Sequence, residues 1–473
     1  MPVNSTHLDY DAALPAWLRA RDVIAGEDAV KAAGTRYLPR LDLHSDDDYA
    51  AYKARSSFFN ATARTAEGYL GLVFRRPPFV KLPEDGRPES TSESGRPPSP
   101  RPSPEGRGRA SQPATSSALV RALTQFRNDA DMLGTALLDY AKTVVSEVIG
   151  VGRAGTLIDW ESEVENRVYA SLYAAENIIN WRVERINGRN IPTMVVLREM
   201  TERSEAGDQR SAGDEFTDEA VEQIRVLRLV KDVPGATPDT TRGTRVLPKC
   251  IVELWQQVEG ASGKARRGKR EWKLVETRVP LRLGKPLPLL PFVFHGPRHA
   301  QPAIEKLPLG DIIAVNLDHY RLDADYKHGT HYTALPTAWV SGFPMSASLQ
   351  IGSKAAWMTD TIGAKAGFLE FTGQGLTTFE RAMDRDEKLL SVLGSRLLES
   401  QKKVGETAQA IELRQSGENS ILANIASSVS ASVTQVLRWA YWWNSTEESP
   451  DDITNEQVMI ELNTDFSTKG LSA

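Results

Sequence analysis

PLGDIIAVNLDHYRLDADYKHG (308–329) opens the part of the chain whose reading decides the fold. From Pro308 the stretch reads as a helix that ends at Gly329. Asp311, Asp318 and Asp325 recur every seven residues along it, and that spacing places the three carboxylates in a nearly straight stripe on one face. The next segment, THYTALPTAWVSGFPMSASLQIGSKAAWMTDTIGAKAGFLEFTGQG, reads as a compact, β-containing module. An amphipathic helix follows from Leu376 to about Ser400, with Phe379, Met383, Leu390, Leu393 and Leu397 on one side. A polar piece, QKKVGETAQAIELRQSGENS (401–420), then leads to a last long helix from Ser420 to Trp443 that aligns Leu422, Ile425, Val429, Val433, Val436 and Ala440. The order is helix, small β module, helix, polar loop, helix.

Upstream, residues 1–82 read as mainly helical. Trp17, Leu18, Val23 and Ile24 make a short apolar face. A single longer helix is expected behind Asp46, Asp47 and Asp48, acids that suit a helix N-terminus, running past Tyr52, Phe59, Ala63 and Leu70 until Pro77 and Pro78 stop it. Residues 83–116 carry no aromatic and no large aliphatic side chain, a composition that reads as a disordered insertion. Its five arginines (87, 96, 101, 107, 109) are balanced by five acids (84, 85, 89, 93, 105), which reads as a solvated linker rather than a nucleic-acid arm. One helix is expected from Ser117 to Val148, where Leu119, Leu123, Phe126, Leu133, Leu137, Val144 and Val148 recur at helical spacing. Beyond it the period shortens. Segments 154–160, 191–200, 223–230, 249–257, 270–279 and 287–294 are rich in β-branched and aromatic residues and are separated by acidic or glycine-rich loops, so the class is α+β.

Composition bounds the function. The chain has 473 residues, 57 basic against 62 acidic, for a formal net charge of −5. So even a balance argues against a broad basic grip on nucleic acid, because that affinity comes from many phosphate contacts. Cys250 is the one cysteine, which leaves no internal disulfide and no cysteine metal cluster and points to a reducing compartment. The first residues do not read as a secretion signal, and no stretch reaches the roughly 18 apolar residues of a membrane span. A soluble protein is expected.

Several chemistries lack their signatures. No GxxxxGK[ST] phosphate loop occurs, so a nucleotide-driven motor would have to be another chain. No GxSxG elbow occurs either. No cofactor fingerprint is found. The cluster Asp318, His319, Asp323, Asp325, His328 and His331 allows a divalent-metal site to be drawn, and with it an alternative function as a metal-dependent nucleic-acid-processing hydrolase. Its spacing is not that of a zinc-protease helix, and charges mixed with Tyr320, Arg321 and Lys327 suit a solvated face. Lys402, Lys403 and Arg414 fall in the polar piece between the last two helices. They read as loop charge or as transient, sequence-blind phosphate contacts. Trp439, Tyr441, Trp442 and Trp443 suit packing better than base stacking.

In combination, these segments resemble the portal proteins of tailed bacteriophages. The similarity runs from Tyr10, Trp17, Arg21–Asp22, Gly26 and Tyr37–Leu38–Pro39 through Arg55, Phe58–Phe59–Asn60, Arg64, Gly71, Phe74 and Pro77–Pro78. It continues with YAAENIINW (173–181), Arg198–Glu199, PLGDIIAVNLDHYR (308–321), LGSRLLE (393–399), GETAQA (405–410), SILANIASSV (420–429) and LNTDF (462–466). The insertion at 83–116 is outside that pattern, and the chain ends soon after LNTDF, where many relatives continue into more crown helices.

The resemblance implies a non-enzymatic ring of about twelve copies at one capsid vertex. Residues 1–82 would be the helical part of a wing and 117–306 its α+β part. Residues 307–330 and 376–400 would be two stem helices, 331–375 a clip, 401–419 a channel loop, and 420–473 a wing-base helix and short crown. Double-stranded DNA would pass through the ring without specific binding, driven by a separate terminase. Major capsid and scaffolding proteins and a head–tail adaptor would be partners, with no membrane. The ring would assemble in a bacterial cytoplasm and reside in the virion. Asp311, Asp318 and Asp325 would face the channel, with Lys402, Lys403 and Arg414 near its loop. A third reading is a capsid adaptor without a channel.

Overall fold

The structure is a computed structural model and describes residues 2–83, 117–186, 188–202, 220–230, 248–259, 270–334, 337–344, 357–369, 373, 375–395 and 408–466. The class is mixed α+β. In chain order the elements begin with helices α1 (Leu8–Ala25), α2 (Glu27–Ala32), α3 (Asp46–Arg55) and α4 (Ala61–Val73), then β1 (Phe79–Lys81). Helices α5 (Ser117–Asn128) and α6 (Leu137–Val151) precede a run of strands. These are β2 (Ala154–Glu161), β3 (Arg167–Ala174), β4 (Ile178–Ile186), β5 (Arg189–Glu202), β6 (Ala220–Val230), β7 (Lys249–Glu259) and β8 (Arg270–Arg278). Short β9 (Leu281–Arg282), β10 (Lys285–Pro286) and β11 (Phe292–His295) lead to α7 (Gly310–Ala334). Strands β12 (Thr337–Ser341) and β13 (Lys365–Leu369), helices α8 (Leu376–Ser395) and α9 (Ala408–Trp443), and β14 (Met459–Glu461) complete the order.

Two compact units result. The first joins Met1–Leu18, Gly68–Pro308 and Lys403–Ala473; the second joins Arg19–Glu67 and Leu309–Lys402. Residues 1–82, grouped together from the sequence, are therefore divided between the two.

In the first unit, β4 to β8 form an antiparallel meander in sequence order, and a smaller antiparallel sheet has the order β11-β2-β3. Helix α9 packs on β2, β3, β11 and on α5 and α6. Its apolar row Val429, Val433, Val436 and Ala440 is fully buried, as its spacing predicts. Small polar residues on the same helix hold the C-terminal segment. The Leu462 N–H donates to Ser430 Oγ at 2.9 Å, and the Ile460 N–H donates to Thr434 Oγ1 at 3.1 Å. At Gly155 on β2 an added Cβ would sit 2.3 Å from Phe292 Cζ, so only glycine lets β11 lie this close.

Three expectations about helix ends are corrected, and two strands are added. The helix foreseen behind Asp46 is two helices. Ser45 and Asp48 cap α3 reciprocally, but Ser56 is extended, and Asn60 Oδ1 accepts from the Ala63 N–H at 3.0 Å to start α4 afresh. The helix foreseen over 117–148 breaks at 129–136. There Asp131 Oδ1 accepts from the Leu133 N–H at 2.9 Å and Asp129 Oδ1 from the Gly134 N–H at 3.0 Å, while Met132 is left-handed at φ 65°. Strands β3 and β4, within and beside YAAENIINW, were not foreseen. Helix α9 begins at Ala408 rather than near Ser420, since Ala408 to Gln415 are good helix formers and Gly417 alone does not stop the helix. The insertion from 84 to 116 and the loops at 204–215 and 260–269 lie outside the described residues.

Candidate functional site

The second unit is built on α7. One side of this helix buries Ile312, Ile313, Asn316, Leu317, Tyr320 and Ala324. Asn316 is fully buried and acts as a bolt: its Oδ1 accepts from the Thr62 N–H at 3.1 Å and the Thr62 hydroxyl at 2.8 Å, and its Nδ2 donates to the Phe59 carbonyl at 2.7 Å. Both lone pairs of Oδ1 and one N–H donor are thus used where water is excluded. Arg321 Nε donates to the Tyr37 carbonyl at 2.9 Å, and the Tyr320 ring packs edge-on against Phe58. The sequence motifs Tyr37–Leu38–Pro39, Phe58–Phe59–Asn60 and PLGDIIAVNLDHYR therefore meet around one helix.

Helix α8 lies antiparallel to α7, as the pairs 329–376, 326–380 and 319–387 require. An added Cβ on Gly329 would come 2.8 Å from Leu376 Cδ2, so glycine admits the start of α8. Tyr326 Oη donates to Glu380 Oε1 at 2.9 Å, and His319 Nε2 stands 3.6 Å from Glu387 Oε1. Between the two helices, β12 and β13 pair in antiparallel register from Thr337↔Leu369 to Ser341↔Lys365. Trp339, Phe368 and Leu369 on this ribbon, and Met358 and Ile362 nearby, are exposed.

The three acids of the seven-residue stripe are not equivalent. Asp311, in the first turn of α7, and Asp318 are exposed. Asp325 is half-buried and accepts from Tyr52 Oη at 2.5 Å. Burial and this carboxylate together push the Tyr52 phenol well above its usual range. Lys402, Lys403 and the side chain of Arg414 lie outside the described residues, although the backbone of Arg414 is helical, within α9.

A fourth acid belongs with them. Asp386 on α8 is 2% exposed, and burial followed by the nearby charge of Asp318 raises its carboxyl pKa. The apolar spacing of α8 already contains it, since 379, 383, 386, 390 and 393 share a face; a carboxylate inside that row was the available signal.

The acids and histidines of 318–331 are spread over different contacts. His328 packs edge-on against His44, Tyr52 and Tyr332, and burial followed by the His44 charge lowers its pKa. Among the described residues, no group of three or more histidines, cysteines or carboxylates comes together in a way that could hold a metal ion. Among the described residues, the convergent ligand set that a metal-dependent hydrolase needs is therefore not formed by this cluster. Among the described residues, no helix is long and apolar enough to cross a membrane.

The class these features define is a mixed α+β chain whose second unit carries an antiparallel helix pair joined through a β-ribbon, with carboxylates outside and at the seam. Residues 308–444 match a family model described as a domain of unknown function, DUF4055. That range runs from the residue before Leu309 through α7, the ribbon, α8 and α9. No curated protein matches the chain.

Proposed function

We propose that this chain is a portal-type subunit: copies of it form a ring at a capsid vertex through which double-stranded DNA is packaged and ejected. In this reading α7 and α8 are stem helices, the β12–β13 ribbon belongs to the clip, and residues 1–306 and the C-terminal part supply the wing and crown. A separate terminase drives the DNA, and head–tail adaptor, capsid and scaffolding proteins dock on the ring. The chain itself is not an enzyme and carries no cofactor.

The observation that carries this reading is the antiparallel α7–α8 pair with an apolar ribbon left uncovered and two carboxylates exposed on α7. An uncovered Trp339, Phe368 and Leu369 suit burial against a second copy. Asp311 and Asp318, repeated around a ring, would form stacked rings of negative charge. DNA must slide through such a conduit. Like charges repel its phosphates, while any residual basic contact fades over a Debye length of about 8 Å at physiological salt.

Electron microscopy of the purified full chain tests the proposal. A ring with a central opening of roughly duplex width is expected. A chain that stays monomeric at every concentration and cleaves DNA until chelator is added would overturn it.

A further inference from the structure

In the first unit a groove of about 1120 Å³ is walled by Phe79, Leu119, Trp160, Leu283, Tyr441 and Trp443. The Trp160 and Trp443 rings lie 5.8 Å apart, and the Trp443 indole N–H is buried without an acceptor among the described residues. Phe79 is 55% and Leu283 71% exposed, so the apolar walls stand open. Among the described residues, Glu447 and Glu456 line the groove against a single cation, Lys81. Pro83 also lines it, and Leu119 is two residues into α5, so the residues on either side of 84–116 both reach this groove.

Open, aromatic-lined grooves are the chemistry that receives proline-rich chain. Such chain favours the extended polyproline II form, carries unpaired carbonyls, and loses little entropy on binding. Arg96–Pro104, RPPSPRPSP, has five prolines, two arginines and no acid. It begins 13 residues after Pro83 and ends 15 before Leu119. Tethers of that length span on the order of 40 Å when extended, ample to reach the groove from either side. We propose that this groove is a docking site for the chain's own Arg96–Pro104 stretch, with prolines against Trp160, Trp443 and Leu283 and the arginines toward Glu447 and Glu456.

Short tethers give effective concentrations of about 1 mM, so an intrinsic Kd of about 0.1 mM would keep the stretch docked about nine-tenths of the time. The test uses the full chain with Ser99→Cys labelled with bimane, a dye quenched by tryptophan at contact. Cys250 is buried and its thiol is pushed up to about 12 by burial, so it stays unlabelled in the native protein. The expected result is several-fold quenching relative to the same dye on Ser92→Cys. The quenching is relieved by Phe79→Thr with Leu283→Asn, and equally by serine at the five prolines. Leu283 lies in the left-handed region at φ 49°, which asparagine tolerates, and threonine suits strand β1, so unchanged circular dichroism and melting point certify the fold of these variants. Quenching that is absent or indifferent to these substitutions overturns the proposal. Quenching that vanishes on dilution with unlabelled chain assigns the groove to another copy's stretch and overturns docking within one chain.

Discussion

Tyr52 Oη donates to Asp325 Oδ1 at 2.5 Å, linking α3 to α7 across 273 residues of chain. The contact converts one acid of a regular surface stripe into a tertiary bond. Tyr52 is 2% exposed, so Tyr52→Phe leaves a half-buried carboxylate short of a donor. A loss of about 1–2 kcal/mol in a denaturant titration is expected. In a double-mutant cycle with Asp325→Ala, the two losses should be clearly less than additive; full additivity would show that the bond is not formed.

Asn316 offers a sharper case. Asn316→Leu keeps the branched shape but orphans the Thr62 N–H, the Thr62 hydroxyl and the Phe59 carbonyl. A destabilisation of about 3 kcal/mol is expected, read as a lower urea midpoint at unchanged slope.

Asp386 is buried on α8 with the charge of Asp318 nearby, and burial first and that charge second raise its folded carboxyl above its unfolded value. A raised group favours the fold at low pH and loses that advantage as pH rises through its folded pKa. Asp386→Asn should therefore raise the melting temperature at pH 7. The gain should shrink as pH falls into the ordinary carboxylate range, and a variant that melts lower at pH 7 would count against the coupling.

His295 stands in a buried relay. The Ser432 hydroxyl donates to the Val429 carbonyl at 3.1 Å, so it accepts from His295 Nδ1–H at 2.7 Å. His295 Nε2 then accepts from Thr156 at 2.6 Å, and Thr156 from Tyr140 at 2.7 Å. A second proton on the ring would reverse this chain, and burial holds the pKa down to about 3. The unfolded histidine titrates near 6.5. Its contribution is complete above that value and is lost as pH falls from about 6.5 toward 3, by up to about 1.4 kcal/mol per pH unit. His295→Gln should flatten the stability profile over that window; an unchanged slope would assign acid sensitivity elsewhere.

Arg153 is 2% exposed, with its guanidinium 4.3 Å from the Trp181 ring and 5.0 Å from Phe294. Nη1 donates to the Pro302 carbonyl, while Nε and Nη2 lack partners among the described residues. Burial lowers its pKa to about 9, which still leaves it charged at pH 7. Arg153→Met, which keeps the stem between the rings, should be neutral or stabilising by about 1 kcal/mol, whereas Arg153→Ala should cost about 3 kcal/mol. Equal losses in both variants would show that the charge itself matters more than the packing.

Periodicity alone was enough for the elements that bury a regular face. Val429 to Ala440 on α9, the strands at 154–160 and 223–230, and the helix–ribbon–helix order after Pro308 were all legible, because local spacing decides which side of an element meets the core. What local spacing does not contain is competition from side chains that bond the backbone. Asp129, Asp131 and Asn60 each take N–H groups that a continuous helix would use, and so they end helices where the apolar rhythm continues. Nor does it contain partners distant in sequence. Nothing in a seven-residue repeat distinguishes exposed Asp311 and Asp318 from Asp325, which Tyr52 claims. Asp386 is a buried acid because α8 packs on α7. Composition and pattern determined the class, the order of the elements and the candidate acids. Only the tertiary structure decided which acids remain in water, because a carboxylate's environment is set by the element packed against it.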